Sequence, residues 1–345
     1  LHITGNNSFA GGSTVTNGTL EIHQVHASPI TVKVGGKLVL NPKAIVGYDI
    51  GRFELIENID PQKITDSEIK VKNYLTKSNL PGIDFTINPY IGCSHKCRYC
   101  YASFMKKITN HSENWGNFID IKLTEEEIDL KKIQNKTIFL SSVTDPYLSI
   151  EKEYLITRSI LEEIKNSNCK LIITTKSSLI LRDLDILKQI KNLTVCISIN
   201  TIDERFKNYM DKASSIKERI NTLKVLHENN IHTVAFVSPI FPYITNIEDI
   251  VKATKYYVDE YWFENLKLRG EYKKDILNYI KNNYKELYSK YVDIYFNLNM
   301  TYWKDLRIDI KNICNKYNLK YKIFFEEEKE DDNKVLLKQE SFNLF

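Results

Sequence analysis

The chain is 345 residues long, with 27% charged residues and a formal net charge of +4. That length can bury one large core with an appendage, and so balanced a charge excludes a broad basic footprint for nucleic acid while leaving room for a local basic groove. No apolar run reaches 18 residues, which excludes a membrane-spanning helix of ordinary length, and no basic-then-apolar leader is visible.

Residues 1–50 are rich in Gly, Thr, Asn and Val. They carry short alternating runs such as Thr19-Leu20-Glu21-Ile22 and Lys37-Leu38-Val39-Leu40, punctuated by Gly11-Gly12, Asn17-Gly18 and Gly35-Gly36. This pattern predicts a small β-rich N-terminal segment of hairpins or solenoid-like coils, either a fused segment with no part in catalysis or a substrate- or partner-binding cap. His23 and His26 have H-x-x-H spacing, but on a strand residues three apart point to opposite faces, so they are poorly placed to share a metal.

From about residue 75 the pattern changes. Apolar β-type runs occur at 84–87, 137–143, 171–175, 194–199 and 233–237, with a sixth near 265–268 or 292–296. Between them, helical periodicity covers 153–166, 183–191, 216–228 and 247–259. Alternation of buried strands and helices predicts an α/β protein with a parallel sheet, and six units match a partial (β/α)6 barrel of the TIM type. In such barrels the chemistry sits on the loops that follow the strands.

The loop after the first strand reads Asn88-Pro89-Tyr90-Ile91-Gly92-Cys93-Ser94-His95-Lys96-Cys97-Arg98-Tyr99-Cys100-Tyr101-Ala102. Cysteine thiolates are the usual ligands of iron–sulfur clusters. A [4Fe–4S] cluster has four irons, and C-x3-C-x2-C supplies three thiolates, which leaves one iron open to a non-protein ligand. Two alternatives stay open on these residues: zinc with His95 or a distant histidine as fourth ligand, and a four-ligand cluster completed by Cys169, Cys196 or Cys314. Either would make the protein a non-catalytic iron–sulfur or zinc binding module. Unpaired thiols favour a reducing compartment, the cytoplasm.

The later strands also end in polar groups. The second runs into Thr144-Asp145-Pro146-Tyr147, where the carboxylate can accept from an ammonium or cap a turn. The third ends at Lys176, an ammonium costly to bury without an anion; a salt bridge to Asp145 or Glu151 is the plain alternative. The fourth ends at Ser198 and Asn200, and the fifth at Ser238-Pro239. The core region, with its lead-in, is expected to span 51–310. Region 311–345 is expected to hold the end of a helix (304–317), a strand (319–325) and a solvated acidic tail that includes the run 326–332.

Taken together, 88–102, Trp115-Gly116 with Lys122, 144–147 with Glu151, Thr157-Arg158, 175–177 with Arg182-Asp183, and 198–201 resemble the spore photoproduct lyase-like (DNA repair photolyase-related) branch of the radical S-adenosylmethionine (SAM) superfamily. The resemblance implies a [4Fe–4S] cluster on Cys93, Cys97 and Cys100, with SAM on the open iron. It implies Tyr99 against adenine, and Thr144, Asp145, Lys176 and Ser198 around SAM; Asn200, at the same strand end as Ser198, is a further polar group that could bind SAM. It further implies an enzyme fed by an external one-electron reductant of flavodoxin or ferredoxin type. SAM would be cleaved to a 5′-deoxyadenosyl radical that abstracts hydrogen from a substrate, for which nucleic acid is the family-based expectation. Two departures stand out. Ser142 occupies the place of the cysteine that returns hydrogen in true lyases, and Met210-Asp211-Lys212 stands where relatives often show Glu-Pro.

Overall fold

The structure, a computed structural model, describes residues 2–3, 13–15, 18–22, 30–32, 36–40, 64–270 and 272–325. The chain forms two compact units, Leu1–Lys63 and Ile64–Phe345. In the first, β1 (His2–Ile3), β3 (Gly18–Ile22) and β5 (Gly36–Leu40) pair side by side, as do β2 (Ser13–Val15) and β4 (Ile30–Val32). Every one of these pairs is parallel, with Gly18 facing Gly36 and Ile22 facing Leu40. A hairpin pairs antiparallel, so none of these described pairs is a hairpin.

The second unit opens with β6 (Thr65–Lys70), β7 (Leu75–Lys77), β8 (Phe85–Ile87), β9 (Tyr90–Gly92) and β10 (Phe118–Leu123). Strands β6, β10 and β9 form a small sheet of their own. The main sheet continues with β11 (Thr137–Leu140), β12 (Lys170–Thr175), β13 (Leu193–Ser198), β14 (His232–Ile240), β15 (Glu260–Asn265) and β16 (Tyr321–Phe324). Its order is β16-β15-β14-β13-β12-β11-β8-β7, and every pair is parallel except β7 with β8. Five of the expected parallel strands are therefore present as β8, β11, β12, β13 and β14, and β15 and β16 extend them. The sheet is open, with β7 and β16 at its edges. Apart from β9 and β10, which pair in the small sheet, the strands follow one another in chain order, the strand order of a (β/α) barrel left unclosed, in which crossovers of one hand put the crossover helices on one face.

The helices are α1 (Leu130–Ile133), α2 (Glu151–Tyr154), α3 (Ile156–Ile164), α4 (Leu184–Leu187), α5 (Glu204–Met210), α6 (Ile216–Glu228), α7 (Ile247–Thr254), α8 (Tyr272–Asn283), α9 (Tyr288–Tyr295) and α10 (Thr301–Lys316). Among the described residues no helix is long and apolar enough to cross a membrane. Helix α6 starts where the sequence predicts, on a capping box in which the Glu218 N–H donates to Ser215 Oγ and the Ser215 N–H donates to Glu218 Oε2.

Three expectations are corrected. The sixth strand is Glu260–Asn265, not 265–268, and 292–296 falls mostly in α9. The expected helix 247–259 stops at Thr254, which frees 260–265 to pair with β14. The expected helix 153–166 is split at Leu155, which takes φ +53°. There the buried Glu151 carboxylate accepts from the N–H groups of Thr157 (2.9 Å) and Arg158 (3.3 Å), capping α3 from the preceding turn. The acidic run 326–332 lies outside the described residues.

The two faces of the parallel sheet pack differently. Ile138, Leu140, Leu171, Ile173, Val195, Ile197, Ala235, Val237, Tyr261 and Phe263 join the large core that also takes in α3, α6 and α7. The alternate residues Phe139, Ile172, Cys196, Val234, Phe236 and Trp262 form a separate apolar layer on the other face, as the two-residue period of a strand requires.

Candidate functional site

Continuing that inner face toward the C-terminal strand ends, the next residues of the same parity are Ser141, Thr174, Lys176, Ser198, Ser238 and Glu264. All six line one cavity, floored by the apolar layer, and the cysteine loop forms its wall with Cys93, His95, Cys97, Tyr99, Cys100 and Tyr101.

The loop is held from several directions. Gly92 has φ +88°, and a Cβ there would stand 2.2 Å from the Phe118 carbonyl oxygen, so only glycine can lead the chain into Cys93. Asn88 Oδ1 accepts from the N–H groups of Ser142 (2.9 Å) and Val143 (3.1 Å), tying the end of β8 to the end of β11. Thr144 Oγ1 donates to the Gly92 carbonyl at 2.6 Å. On the far side, the Arg98 N–H donates to the Met210 carbonyl (2.9 Å) and the Lys212 N–H to the His95 carbonyl (2.7 Å). The departure segment Met210-Asp211-Lys212 is therefore a clamp on the cysteine loop.

All six cysteines are free. Burial, more than any neighbour, pushes the thiols of Cys93 and Cys100 up and that of Cys97 up to about 12. Cys169, Cys196 and Cys314 are buried and do not line the cavity. Among the described residues no three His, Cys, Asp or Glu side chains converge on one metal-ion position. A cubane cluster takes one thiolate per iron, so its ligands stand apart around it, and three free thiols on one cavity wall fit that donor set.

Asp145 is buried, and its carboxylate is fully engaged by protein. Oδ1 accepts from the Tyr147 N–H (2.9 Å) and Thr175 Oγ1 (2.7 Å); Oδ2 accepts from the Lys176 N–H (2.8 Å) and lies 3.3 Å from His95 Nδ1. Burial works to raise its pKa, but His95 and these donors outweigh it and hold the carboxyl at about 2. A carboxylate has about four acceptor positions. Asp145 spends them joining the cysteine loop to the end of β12, so the structure makes it a positioning group more than a free acceptor.

Lys176 behaves in the opposite way. Its ammonium faces the cavity and has no carboxylate within 4 Å among the described residues, so neither plain partner, Asp145 or Glu151, pairs with it. Burial pushes its pKa down, yet Cys97 and Asp211 more than offset this. Across the cavity sits Glu264, which accepts from Ser238 Oγ at 2.8 Å and has Lys267 Nζ 3.6 Å away; burial pushes its carboxyl up. Ser141 adds a buried hydroxyl that meets no partner among the described residues, on a backbone with φ +68°. Strain of this kind clusters at functional sites.

Of the expected site residues, Cys93, Cys97, Cys100, Tyr99, Thr144, Asp145, Lys176 and Ser198 are brought together on this cavity, and Asn200 is not. Asn200 lies past the end of β13, buried, with its carbonyl accepting from Thr245 Oγ1. Tyr99 donates to Asp211 Oδ2 at 3.2 Å and packs edge-on against Phe241 at 5.7 Å. Glu264 carries no sequence signal when the sixth strand is set at 265–268; with the strand at 260–265, its parity points it inward. Tyr101 and Tyr272 also line the cavity, and Tyr101 donates to the Ser142 carbonyl.

Residues 87–256 match the family model of the radical SAM superfamily. An uncharacterized protein of Methanocaldococcus jannaschii is 37% identical over 262 residues, covering 73% of this chain and 98% of the relative. An uncharacterized protein of Acidianus two-tailed virus is 28% identical over 210 residues, 54% of this chain and 69% of the relative. Among solved structures, a spore photoproduct lyase mutant with dinucleoside spore photoproduct aligns at TM-score 0.49 and 17% identity, covering 73% of this chain and 75% of that one. Streptococcus suis SuiB bound to S-adenosylmethionine aligns at TM-score 0.47 and 15% identity, covering 71% and 50%. The chain belongs to the radical SAM superfamily. The cofactors of that superfamily are a [4Fe–4S] cluster and SAM.

Proposed function

We propose that the protein is a radical SAM enzyme in which Cys93, Cys97 and Cys100 each ligate one iron of the cluster and the strand-end cavity holds SAM beside the fourth. One observation carries the reading: three free thiols and an ammonium without a carboxylate partner face the same cavity at the C-terminal ends of parallel strands. When bound, the pair supplies one-electron cleavage of SAM and abstraction of a substrate hydrogen.

The chain's own residues bind, orient and exclude water. Lys176 offers a charge-assisted hydrogen bond to the carboxylate of the methionyl end. Glu264 offers the opposite charge for the ammonium, a task the sequence pattern assigns to Asp145. Asp145 instead fixes His95, and with it the loop between Cys93 and Cys97. Tyr99 is locked by Asp211 and Phe241 so that its ring forms a rigid side of the cavity. Beneath, the layer of Phe139, Ile172, Cys196, Val234, Phe236 and Trp262 keeps water from the floor.

The test is anaerobic reconstitution with iron and sulfide, followed by EPR of the dithionite-reduced protein with and without SAM. A [4Fe–4S]+ signal that changes on adding SAM is expected, with 5′-deoxyadenosine in the products. A protein that takes up one zinc, or a cluster indifferent to SAM, would sink the reading and favour a binding module. The electron comes from an external carrier of flavodoxin or ferredoxin type. For the substrate, the sequence resemblance favours nucleic acid; affinity for single-stranded DNA or RNA should then fall steeply with salt, because phosphate contacts release counterions.

A further inference from the structure

The strand ends carry a second opening beside the cavity. Its lining alternates along the chain with that of the cavity: Asp145 and Lys176 face the cavity, while Tyr147, Lys152 and Ser177 line an outer groove. The inner wall of the groove is the cysteine loop itself, at Ser94 and His95, and Lys212, Ser214 and Glu218 line it from the α5–α6 side. Among the described residues His95 alone lines both openings. It is buried between Cys93 and Cys97 in the chain, with Nδ1 3.3 Å from Asp145 Oδ2. One layer of protein therefore separates the groove from the cavity wall that carries the thiols.

The charges along this groove do not cancel. Arg182 is paired with Glu151 and Asp183, at 2.8 Å each. Glu218 is occupied by the N–H and hydroxyl of Ser215, both at 2.7 Å. Lys152 and Lys212 are exposed, and among the described residues neither has a carboxylate within 4 Å. Lys212 is held against the wall, its N–H donating to the His95 carbonyl and its Nζ to the Asn208 carbonyl, both at 2.7 Å. The loop adds Lys96, bonded to Asn117 Oδ1 at 2.7 Å, and the exposed Arg98, whose guanidinium lies 4.2 Å from the Tyr209 ring centroid. A surface of one sign beside a redox site attracts and orients a partner of the other sign.

We propose that this groove and the adjoining outer face of the cysteine loop are the docking site of the external one-electron carrier, a protein whose redox centre is ringed by carboxylates. The inference deepens the function proposed above and rests on it. In the step it serves, the reduced carrier gives up one electron and the oxidised [4Fe–4S]2+ cluster takes it up as [4Fe–4S]+; no bond or proton moves. Electronic coupling falls steeply with distance, so the carrier must sit where the least protein intervenes, and the groove meets that need. A nucleic-acid substrate has a different requirement, because its reacting atom must enter the cavity, which shares only His95 with the groove among the described residues. The carrier thus docks without occupying the cavity.

The experiment uses the full chain and flavodoxin as the probe. Ser149 and Lys152 are exposed residues of the groove that do not line the cavity. The double variant Ser149→Glu/Lys152→Glu should bind oxidised flavodoxin about tenfold more weakly than wild type in calorimetry at low salt. The gap should close as salt screens the charges. Lys311→Glu, at an exposed position of α10, should bind as wild type does. After anaerobic reconstitution, reduced flavodoxin should reduce the cluster of the double variant more slowly, while dithionite, a small reductant that needs no docking surface, should give the same yield of 5′-deoxyadenosine as in wild type. That equality shows the variant folded and loaded; should the double variant not fold, each single substitution must weaken binding in the same direction. Unchanged flavodoxin binding overturns the proposal, as does an equal loss with Lys311→Glu. A loss of single-stranded DNA binding with flavodoxin binding intact assigns the groove to phosphates and also overturns it. If wild type with dithionite and SAM yields no 5′-deoxyadenosine, the enzyme reading fails first and the carrier role falls with it, an outcome separate from any effect of the groove variants.

Discussion

Two charged residues at neighbouring strand ends have opposite fates, and their environments say why. Lys176 keeps its ammonium without a carboxylate partner in the cavity, so its energetic role appears only when an anion arrives. Lys176→Met should leave iron and sulfide content unchanged while weakening SAM binding at least tenfold, about 1.4 kcal/mol, as measured by the SAM concentration needed to alter the EPR signal. Loss of the cluster together with SAM binding would instead mark Lys176 as part of the cluster's own support. Asp145 is saturated by four protein contacts, and its effect is on the folded protein itself. Its folded pKa, about 2, lies below the ordinary value of 3.8, so the unfolded chain binds the proton more readily. Its contribution is fully present above the unfolded value and disappears as pH falls through the folded one. In cluster-free protein, Asp145→Asn should cost about 2 kcal/mol in urea unfolding at neutral pH. The gap between variant and wild type should narrow between about pH 4 and pH 2. An unchanged gap across that window would show that hydrogen-bond geometry, not charge, carries the effect.

At the scale of elements, the cysteine loop is held by the end of α5 and the start of α6. Asp211, just after α5, accepts from Arg219 of α6 at 2.5 Å, lies 3.5 Å from Lys207 Nζ, and receives the Tyr99 hydroxyl; Asp211 and Arg219 are each 1% exposed. Arg219 also donates to the Ser198 and Ser214 carbonyls. Removing one member of a buried pair leaves an uncompensated charge, so Arg219→Met should destabilise by roughly 3 kcal/mol. It should also loosen Tyr99 and raise the alkylation rate of Cys97 in cluster-free protein. A stable variant with unchanged thiol reactivity would mean that the clamp is set by the main-chain bonds of Arg98 and Lys212 alone. Which of these features could be read in the sequence follows from their range. The cysteine spacing is local and legible. The runs at 137–143, 171–175 and 194–199 are legible because both faces of those strands are buried, leaving apolar stretches. Strand β15 was obscured by its two glutamates: Glu260 reaches Lys322 on β16 at 2.9 Å, while Glu264 turns into the cavity. The break at Leu155 depends on Glu151, itself held by Arg182 at 2.8 Å. The occupancy of Asp145 depends on His95 and Thr175, far away in sequence. Pairings at that distance leave no periodic trace.

At the scale of the whole molecule, the question is how much chain the site needs. The second compact unit begins at Ile64, and every described residue lining the cavity lies between Cys93 and Tyr272. The sheet that positions them runs from β7 to β16 inside the same unit. The parallel strands β1 to β5 pair among themselves, and none of them joins the main sheet. A chain starting at Ile64 should therefore fold, assemble the same iron and sulfide per chain, and show the same EPR response to SAM as the full chain. The comparison separates two roles for the first unit. If the shortened chain keeps the SAM response and substrate affinity, residues 1–63 take no part in the chemistry. If it keeps the SAM response but loses binding of a nucleic-acid probe, residues 1–63 serve substrate capture. If it folds, judged by circular dichroism, yet fails to assemble the cluster, the site is not self-contained in 64–325. The placement of every cavity-lining strand end within one consecutive parallel sheet argues for one of the first two outcomes.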